Sequence, residues 1–154
     1  MINRFRDIES KWYKNEKVGG ISRCIAMDRF GSVLPNCVGY ALGRFHEVLA
    51  NNNLIADFKY RALDTAPALM LKKCSQYYPE LVIGDTPRAD SILVLSYPGD
   101  GFGGHVAYVE AVNNDLIFIG ESSYKKAIFN EFWIPLGALR AKGDLKFIYS
   151  PIAN

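Results

Sequence analysis

Cysteine and histidine are scarce in this sequence of 154 residues, which contains three cysteines and two histidines. Cys24, Cys37 and Cys74 lie far apart and form no C-x-x-C pair, which argues against a zinc site or a disulfide framework. The odd number leaves at least one thiol free. We therefore predict neither a metal ion nor any other cofactor.

Long apolar runs and dense basic runs are also missing. No run approaches the roughly 18 apolar residues of a membrane span, and residues 1–7 lack the apolar core of a signal peptide. The formal charge is only +2 and no Lys/Arg cluster occurs, so nucleic acid is a poor candidate for a partner. We expect a soluble protein, made in the cytoplasm, that does not insert into a membrane.

The composition is that of a globular protein, with 49% hydrophobic and 22% charged residues. Its length fits one domain with a real core, and we find neither an internal repeat nor a linker. We predict a single domain over residues 1–154. Its functional motifs fall within about residues 30–150.

Helical patterns come first in the chain and strand patterns follow. Apolar residues at helical spacing predict a helix over residues 37–50 and a second over 66–77, which Asp64 and Thr65 can cap. A weaker pattern in residues 1–17 suits a short amphipathic helix. Strand patterns cover residues 91–96, 105–112, 116–120, 128–135 and 145–149. This order predicts an α+β fold, with an antiparallel sheet packed against the first helix.

Cys37 has the most informative context of the three cysteines, because it opens the first predicted helix directly after Asn36. Asn is a favourable N-cap residue, and the positive end of the helix dipole favours a thiolate there. A core helix also holds a nucleophile rigidly. The alternative is a small buried side chain with a purely structural role, and this is our interpretation of Cys24 and Cys74.

His105 is the candidate base, at the start of a predicted strand. The glycines before it, including Gly104, would let a substrate backbone approach closely. His46 lies on the helix of Cys37, about 13 Å away at about 1.5 Å per residue, which is too far for a hydrogen bond. We therefore assign His46 to the surface. The alternative for His105 is a structural role.

A third group should orient the imidazole, and Glu121 is the candidate. A turn at residues 113–115 brings the strand that ends near Glu121 back beside the start of the His105 strand. Glu110 lies at the far end of that strand and is a weaker candidate. The alternative is that Glu121 only marks a solvated strand end.

Several aromatic residues could line a groove beside such a site. We expect those in predicted helices and strands to pack in the core, whereas Phe102 and Tyr124 fall in loops and suit a groove better. The aromatic residues considered are Trp12, Tyr40, Phe102, Tyr108, Tyr124 and Trp133.

Three segments together resemble the CHAP domain, the cysteine, histidine-dependent amidohydrolase/peptidase family, and its bacteriophage peptidoglycan hydrolases in particular. Residues 35–44, P-N-C-V-G-Y-A-L-G-R, are similar to the nucleophile motif, and residues 104–110, G-H-V-A-Y-V-E, to the histidine motif. Residues 121–124, E-S-S-Y, resemble the third motif, although the family has an Asn where this chain has Ser123. The resemblance covers about residues 30–135 and implies a papain-like fold.

The resemblance implies Cys37 as the nucleophile, His105 as the base and Glu121 as the group that orients the base. Supporting and groove positions follow from the same motifs and the loops beside them: Asn36, Ser123, Phe102, Gly104 and Tyr124. Some phage relatives bind calcium upstream of the cysteine, but this chain lacks those ligands.

The implied function is hydrolysis of an amide bond in the peptide of bacterial peptidoglycan, by a phage endolysin or a tail-associated lysin. Such a protein would reach the wall after release from the host cytoplasm or as part of a virion, and another chain could target it. Two alternatives remain: a catalytically silent wall-binding or structural module on the same fold, and a Cys-His acyl-transfer enzyme with a non-wall substrate. Amidase and endopeptidase activities both occur in the family.

Overall fold

A computed structural model gives the fold of the protein and describes residues 1–7, 10–13, 36–99, 103–122 and 129–153. The expectations for Cys24, Phe102, Ser123 and Tyr124 concern positions outside these ranges. The described helices and strands are α1 (Cys37–Asn51), α2 (Pro67–Tyr77), β1 (Ile83–Gly84), β2 (Ser91–Ser96), β3 (Gly104–Asn113), β4 (Leu116–Ser122), β5 (Phe129–Pro135), α3 (Leu136–Arg140) and β6 (Asp144–Tyr149).

Helix α1 begins where the sequence predicts it, because Asn36 caps it. The side-chain oxygen of Asn36 accepts a hydrogen bond of 2.9 Å from the backbone N–H of Gly39, which would otherwise lack a partner in the first turn. The helix ends at Asn51, and Asn53 then adopts a left-handed φ of 60°, a conformation that Asn tolerates. The first residue of the helix is therefore fixed at Cys37.

The strands form one antiparallel sheet in the order β1-β6-β2-β3-β4-β5, which confirms the α+β class. Strand β3 lies near its centre, between β2 and β4. His105 is opposite Leu95 of β2, and Tyr108 is opposite Gly120 of β4. Because β3 and β4 are antiparallel, the residues that follow Gly120 in β4 lie beside the start of β3, where His105 is.

Both faces of the sheet are covered, so alternate residues of β3 enter different hydrophobic clusters. Val106 and Tyr108 pack in the cluster that contains the buried side of α1. Ala107 and Val109 pack in a second cluster, to which α3 contributes. This alternation anchors β3 from both sides.

The sequence analysis missed α3 and misplaced the cap of α2. Helix α3 is only five residues long, and its Leu136 and Leu139 are buried in the second cluster. Helix α2 starts at Pro67, whose fixed φ suits a first helical position. The N-cap is therefore Ala66, and the predicted capping by Asp64 or Thr65 is wrong.

The predicted amphipathic helix near the N-terminus, suggested by Ile8, Trp12 and Tyr13, is wrong where the structure describes it, because residues 10–13 form a turn. Residues 1–7 are not helical either. Their backbone groups are bonded by side chains of α1 instead of by a helical ladder. Arg44 donates from Nη2 to the carbonyl oxygen of Arg4 at 2.9 Å and from Nη1 to that of Phe5 at 3.2 Å. Contacts far along the chain thus outweigh the weak local pattern.

Candidate active site

The candidate site forms where the N-terminus of α1 meets the start of β3. Cys37 is the first residue of α1 and is half-buried, and His105 is the second residue of β3, with its side chain 25% exposed. The two side chains interact, since Cys37 is among the groups that raise the pKa of His105. The structure therefore brings together the thiol and the imidazole that the sequence analysis singled out.

Glu121, near the end of β4, contacts the same imidazole. The Nε2 atom of His105 donates a short hydrogen bond to Oε2 of Glu121, whose side chain is 20% exposed. Because Nε2 is engaged there, Nδ1 is the ring nitrogen available to Cys37. A thiol, an imidazole and a carboxylate are thus linked in series.

The charge state of His105 depends on both neighbours. Burial lowers the pKa of His105, but the hydrogen bonds to Cys37 and Glu121 and the charges of these two groups raise it. The balance raises the pKa of His105 from 6.5 to about 9. The protonated imidazole is therefore the favoured form at neutral pH, placed between two groups that can be anionic.

A buried ion pair joins the two elements that carry Cys37 and His105. Arg44 of α1 donates from Nε and Nη2 to the two carboxylate oxygens of Glu110 in β3, at 2.7 and 3.1 Å. The side chain of Arg44 is only 2% exposed and that of Glu110 is 10% exposed. This two-point contact fixes α1 against β3. The low rank that the sequence analysis gave Glu110 as an orienting group agrees with this placement.

Beside Cys37 lies a cleft of about 360 Å³, lined by Asn36, Cys37, Val38, Thr65, Ala66, Pro67 and Gly104. Gly104 is required by space, because a Cβ there would lie 2.4 Å from the carbonyl oxygen of Leu95 and 3.0 Å from Cβ of Pro67. The sequence analysis placed Gly104 in a groove but missed Thr65 and Pro67. No local signal marks them, since they reach the cleft only through packing of α2 against the sheet.

The remaining predicted residues fall into two groups. Asn36 lies at the site and caps α1, whereas Phe102, Ser123 and Tyr124 are outside the described residues. Trp12, Tyr40 and Tyr108 are buried in the core, as expected for aromatic residues of helices and strands. Trp133 departs from that expectation, because it is 48% exposed.

The assignment of His46 to the surface is wrong, because its side chain is completely buried. Its Nδ1–H donates to the carbonyl oxygen of Leu42 at 2.9 Å, and its Nε2 accepts from the backbone N–H of Tyr60 at 3.0 Å. Burial lowers the pKa of His46 to about 4. This histidine is a neutral core residue that ties α1 to the segment before α2.

No candidate metal site appears among the residues that the structure describes. Within those ranges, no three or more His, Cys, Asp and Glu side chains converge as a ligand set. The helices of the same ranges are also too short or too polar to cross a membrane.

The arrangement has the groups that acyl-transfer chemistry with a thiol nucleophile uses: a thiol at a helix start, an imidazole beside it and a carboxylate in contact with the imidazole. Comparison with known families adds an independent finding. The family model described as the CHAP domain matches residues 27–123, more than half of the chain. The protein therefore belongs to the CHAP domain family, which groups amidase and peptidase hydrolases.

Among solved structures, the chain is similar to the crystal structure of Ly7917 with the hydrolyzing product of MDP. The two are 22% identical with a TM-score of 0.38, over 46% of this chain and 32% of that chain. The match thus spans about a third of the length of Ly7917. No curated protein matches the chain.

Proposed function

We propose that this protein is a peptidoglycan hydrolase that cleaves an amide bond in the cell-wall peptide by cysteine nucleophilic catalysis. The observation that carries the proposal is the series Cys37–His105–Glu121 beside an open cleft, in which His105 bonds to Glu121 and interacts with Cys37. Membership of a family of amidases and peptidases supports the hydrolase class. We assign Cys37 as nucleophile, His105 as acid and base, and Glu121 as the group that orients His105.

In the acylation step, the Cys37 thiolate attacks the amide carbonyl carbon and forms a tetrahedral oxyanion. Backbone N–H groups at the start of α1, including that of Cys37, are placed to stabilise the negative charge on the oxygen. His105 donates its proton to the nitrogen of the leaving amine. The C–N bond then breaks and leaves a thioester on Cys37.

In the deacylation step, the neutral His105 takes a proton from a water molecule, whose oxygen attacks the thioester carbon. The C–S bond breaks, the carboxylic acid product leaves and loses its proton to solvent, and the thiolate–imidazolium pair is restored. Glu121 stabilises the imidazolium and holds its ring plane throughout. Asn36 supports the cycle by fixing the first turn of α1, and Gly104 lets the peptide backbone approach Cys37. Ser123, Phe102 and Tyr124 complete the proposed site.

We further propose a bacteriophage setting, as an endolysin or a tail-associated lysin whose catalytic domain includes about residues 30–150. The likeness of residues 35–44 and 104–110 to the motifs of phage enzymes supports this. The protein would then meet the wall after release from the host cytoplasm or within a virion. A second chain could supply targeting.

The test is clearance of a bacterial wall suspension by the wild type, Cys37→Ala and His105→Ala. We expect the suspension to lose turbidity with the wild type only. The wild-type digest should also contain new amino groups, and mass spectra of its fragments identify the cleaved amide. The matched control is Glu80→Gln, which removes an exposed carboxylate paired with Lys59 at 3.8 Å. Circular dichroism checks that each variant is folded.

Clearance by Cys37→Ala equal to the wild type would exclude the proposed nucleophile. Wall binding without clearance, unaffected by Cys37→Ala, would instead identify a silent wall-binding module. Hydrolysis of a small amide or ester that requires Cys37, with no action on wall, would identify an acyl-transfer enzyme for another substrate.

A further inference from the structure

An aromatic pair, of an exposed tryptophan and a partly buried phenylalanine, lies on the outer part of the sheet. Phe118 of β4 is directly opposite Trp133 of the edge strand β5, and their ring centroids are 5.3 Å apart at an interplanar angle of 34°. Trp133 is 48% exposed, and Leu116 beside this pair is 41% exposed. The other tryptophan, Trp12, is only 7% exposed. Large apolar side chains left in a group at the surface indicate a binding function.

A polar cavity of about 310 Å³ borders the aromatic pair, which is within the size range of ligand sites. Phe118 forms one wall, and the remaining lining residues are charged: Arg4, Arg6, Arg44, Glu110 and Glu131. Arg6 bonds to Tyr40, pairs with Glu131, lies 3.8 Å from Glu110 and stacks on Phe129, so it is a charged donor group held at the cavity wall. The cavity therefore offers both donors and acceptors.

This surface shares no described lining residue with the cleft at Cys37. Arg44, which lines the cavity, and Cys37 both belong to α1, and seven residues of helix separate them by about 10 Å. One extended ligand can therefore reach both places, whereas a single small ligand cannot fill both. The aromatic surface is therefore separate from the cleft.

The chemistry of the surface selects the ligand. Arginine and glutamate side chains occur together in the cavity, which does not favour a polyanion such as nucleic acid or a phosphate polymer. A pyranose ring has an apolar C–H face that stacks on an aromatic ring and a rim of hydroxyls that donate and accept hydrogen bonds. A protein partner would require a larger continuous apolar area.

We propose that Phe118, Trp133 and the adjoining cavity bind an oligosaccharide, which, given the proposed function, is the glycan strand of peptidoglycan. Trp133 stacks on a sugar ring, and Arg6 and Glu131 bond to its hydroxyls. Holding the glycan raises the local concentration of its attached peptide at the Cys37 cleft. The site thus serves wall recognition within the catalytic domain.

The test uses the Cys37→Ala protein, which cannot turn substrate over, and peptide-free glycan strands as the probe. We expect a saturable change of tryptophan fluorescence that Trp133→Ala abolishes, with about tenfold weaker retention on insoluble glycan. Glu131→Gln, which leaves both aromatic rings in place, should weaken retention several-fold. Tyr77→Ala is the matched control, since Tyr77 is a 53% exposed aromatic residue on α2, and it should bind like its parent. Thermal melting verifies that the variants fold.

Equal glycan binding by the parent, Trp133→Ala and Glu131→Gln would overturn the proposal, as would an equal fluorescence change with the free stem peptide. If the tryptophan fluorescence changes with protein concentration in the absence of glycan, the surface instead binds a second copy of the chain. The two proposals fail separately. If wall clearance requires Cys37 but not Trp133, the hydrolase proposal stands and the glycan-site proposal fails. If the protein binds glycan through Trp133 but hydrolyses no wall, the glycan-site proposal stands and the hydrolase proposal fails.

Discussion

His105 is the residue whose charge state should control activity, because it lies between Cys37 and Glu121. The leaving amine needs a proton from the imidazolium, and a pKa raised from 6.5 to about 9 keeps that proton in place through neutral pH. Activity should therefore fall as the pH rises through about 9. The pH profile of kcat on a soluble wall peptide measures this midpoint.

Replacing Glu121 with Gln should move the alkaline limb of that profile to lower pH, because it removes the carboxylate that stabilises the imidazolium. We expect kcat to fall by about 10²-fold, with a smaller effect on KM. Glu80→Gln serves as the matched Glu-to-Gln control at an exposed position and should keep the limb near pH 9. An unshifted limb in Glu121→Gln would show that Glu121 does not act on His105.

The cysteines should differ sharply in reactivity. Cys74 is fully buried, and burial raises the pKa of its thiol to about 11, so only about 10⁻⁴ of it is thiolate at pH 7. Cys37 is half-buried and interacts with His105. Iodoacetamide at pH 7, followed by peptide mass spectrometry, should therefore alkylate Cys37 first, and His105→Ala should slow that reaction.

Two results would contradict this view of Cys37. One is alkylation of Cys37 no faster than that of Cys74 in the folded protein. The other is a rate for Cys37 that His105→Ala leaves unchanged. Alkylation of both thiols at the same rate in urea serves as the control, because unfolding removes the difference in burial.

At single-residue resolution, the sequence predicted the members of the candidate site better than their surroundings. The context of Cys37, after an N-cap residue, is local, and a hairpin relates Glu121 to His105 within one strand pair. The burial of His46 is not local. It depends on Tyr60, which lies outside α1 and supplies a backbone N–H to the imidazole.

At the scale of elements, α1 and β3 must keep a fixed relation for Cys37 to meet His105. The bond from Arg44 to Glu110 joins them inside the protein, and Glu47 adds a second carboxylate contact to Arg44 at 2.7 Å. Removing the charge of Glu110 would leave the guanidinium of Arg44 with a partly unmatched buried charge. Both stability and geometry should respond.

We therefore expect Glu110→Gln to lower the free energy of unfolding by about 3 kcal/mol. It should also reduce kcat more than it changes KM, because the thiol and the imidazole lose their fixed distance. Urea unfolding and steady-state kinetics measure the two effects. In Glu80→Gln, whose ion pair with Lys59 is exposed, the change should stay within about 1 kcal/mol. Equal changes in both variants would refute the role of the buried pair.

The helices and strands with a clear sequence pattern of their own were predicted, and those that depend on packing against distant residues were not. Helix α1 has a periodic apolar pattern and strand β2 a continuous one, and both start at the predicted residues. Helix α3 has five residues, too few for a helical period to be recognised, and is held by burial of Leu136 and Leu139. The wall of the cleft at Pro67 depends on where α2 packs, which the sequence pattern does not contain.

At the scale of the whole molecule, the two histidines should give opposite pH dependences of stability. The pKa of His105 is higher in the folded state than its ordinary 6.5, so its contribution is complete below pH 6.5 and is lost as the pH rises through about 9. The pKa of His46 is lower, at about 4, so its contribution is complete above pH 6.5 and is lost as the pH falls through about 4. Stability from these two groups should peak near pH 6.5.

This opposition can be measured by urea unfolding between pH 4 and 9. His46→Gln should remove about 3 kcal/mol of the loss of stability between pH 6.5 and 4, because no buried imidazole then has to take up a proton. His105→Gln should flatten the alkaline side and leave the acid side unchanged, so each variant is the control for the other. If the acid side of His46→Gln runs parallel to that of the wild type, carboxylates rather than His46 govern acid unfolding. The core of α1 would then owe its acid sensitivity to the buried ion pairs of Arg44.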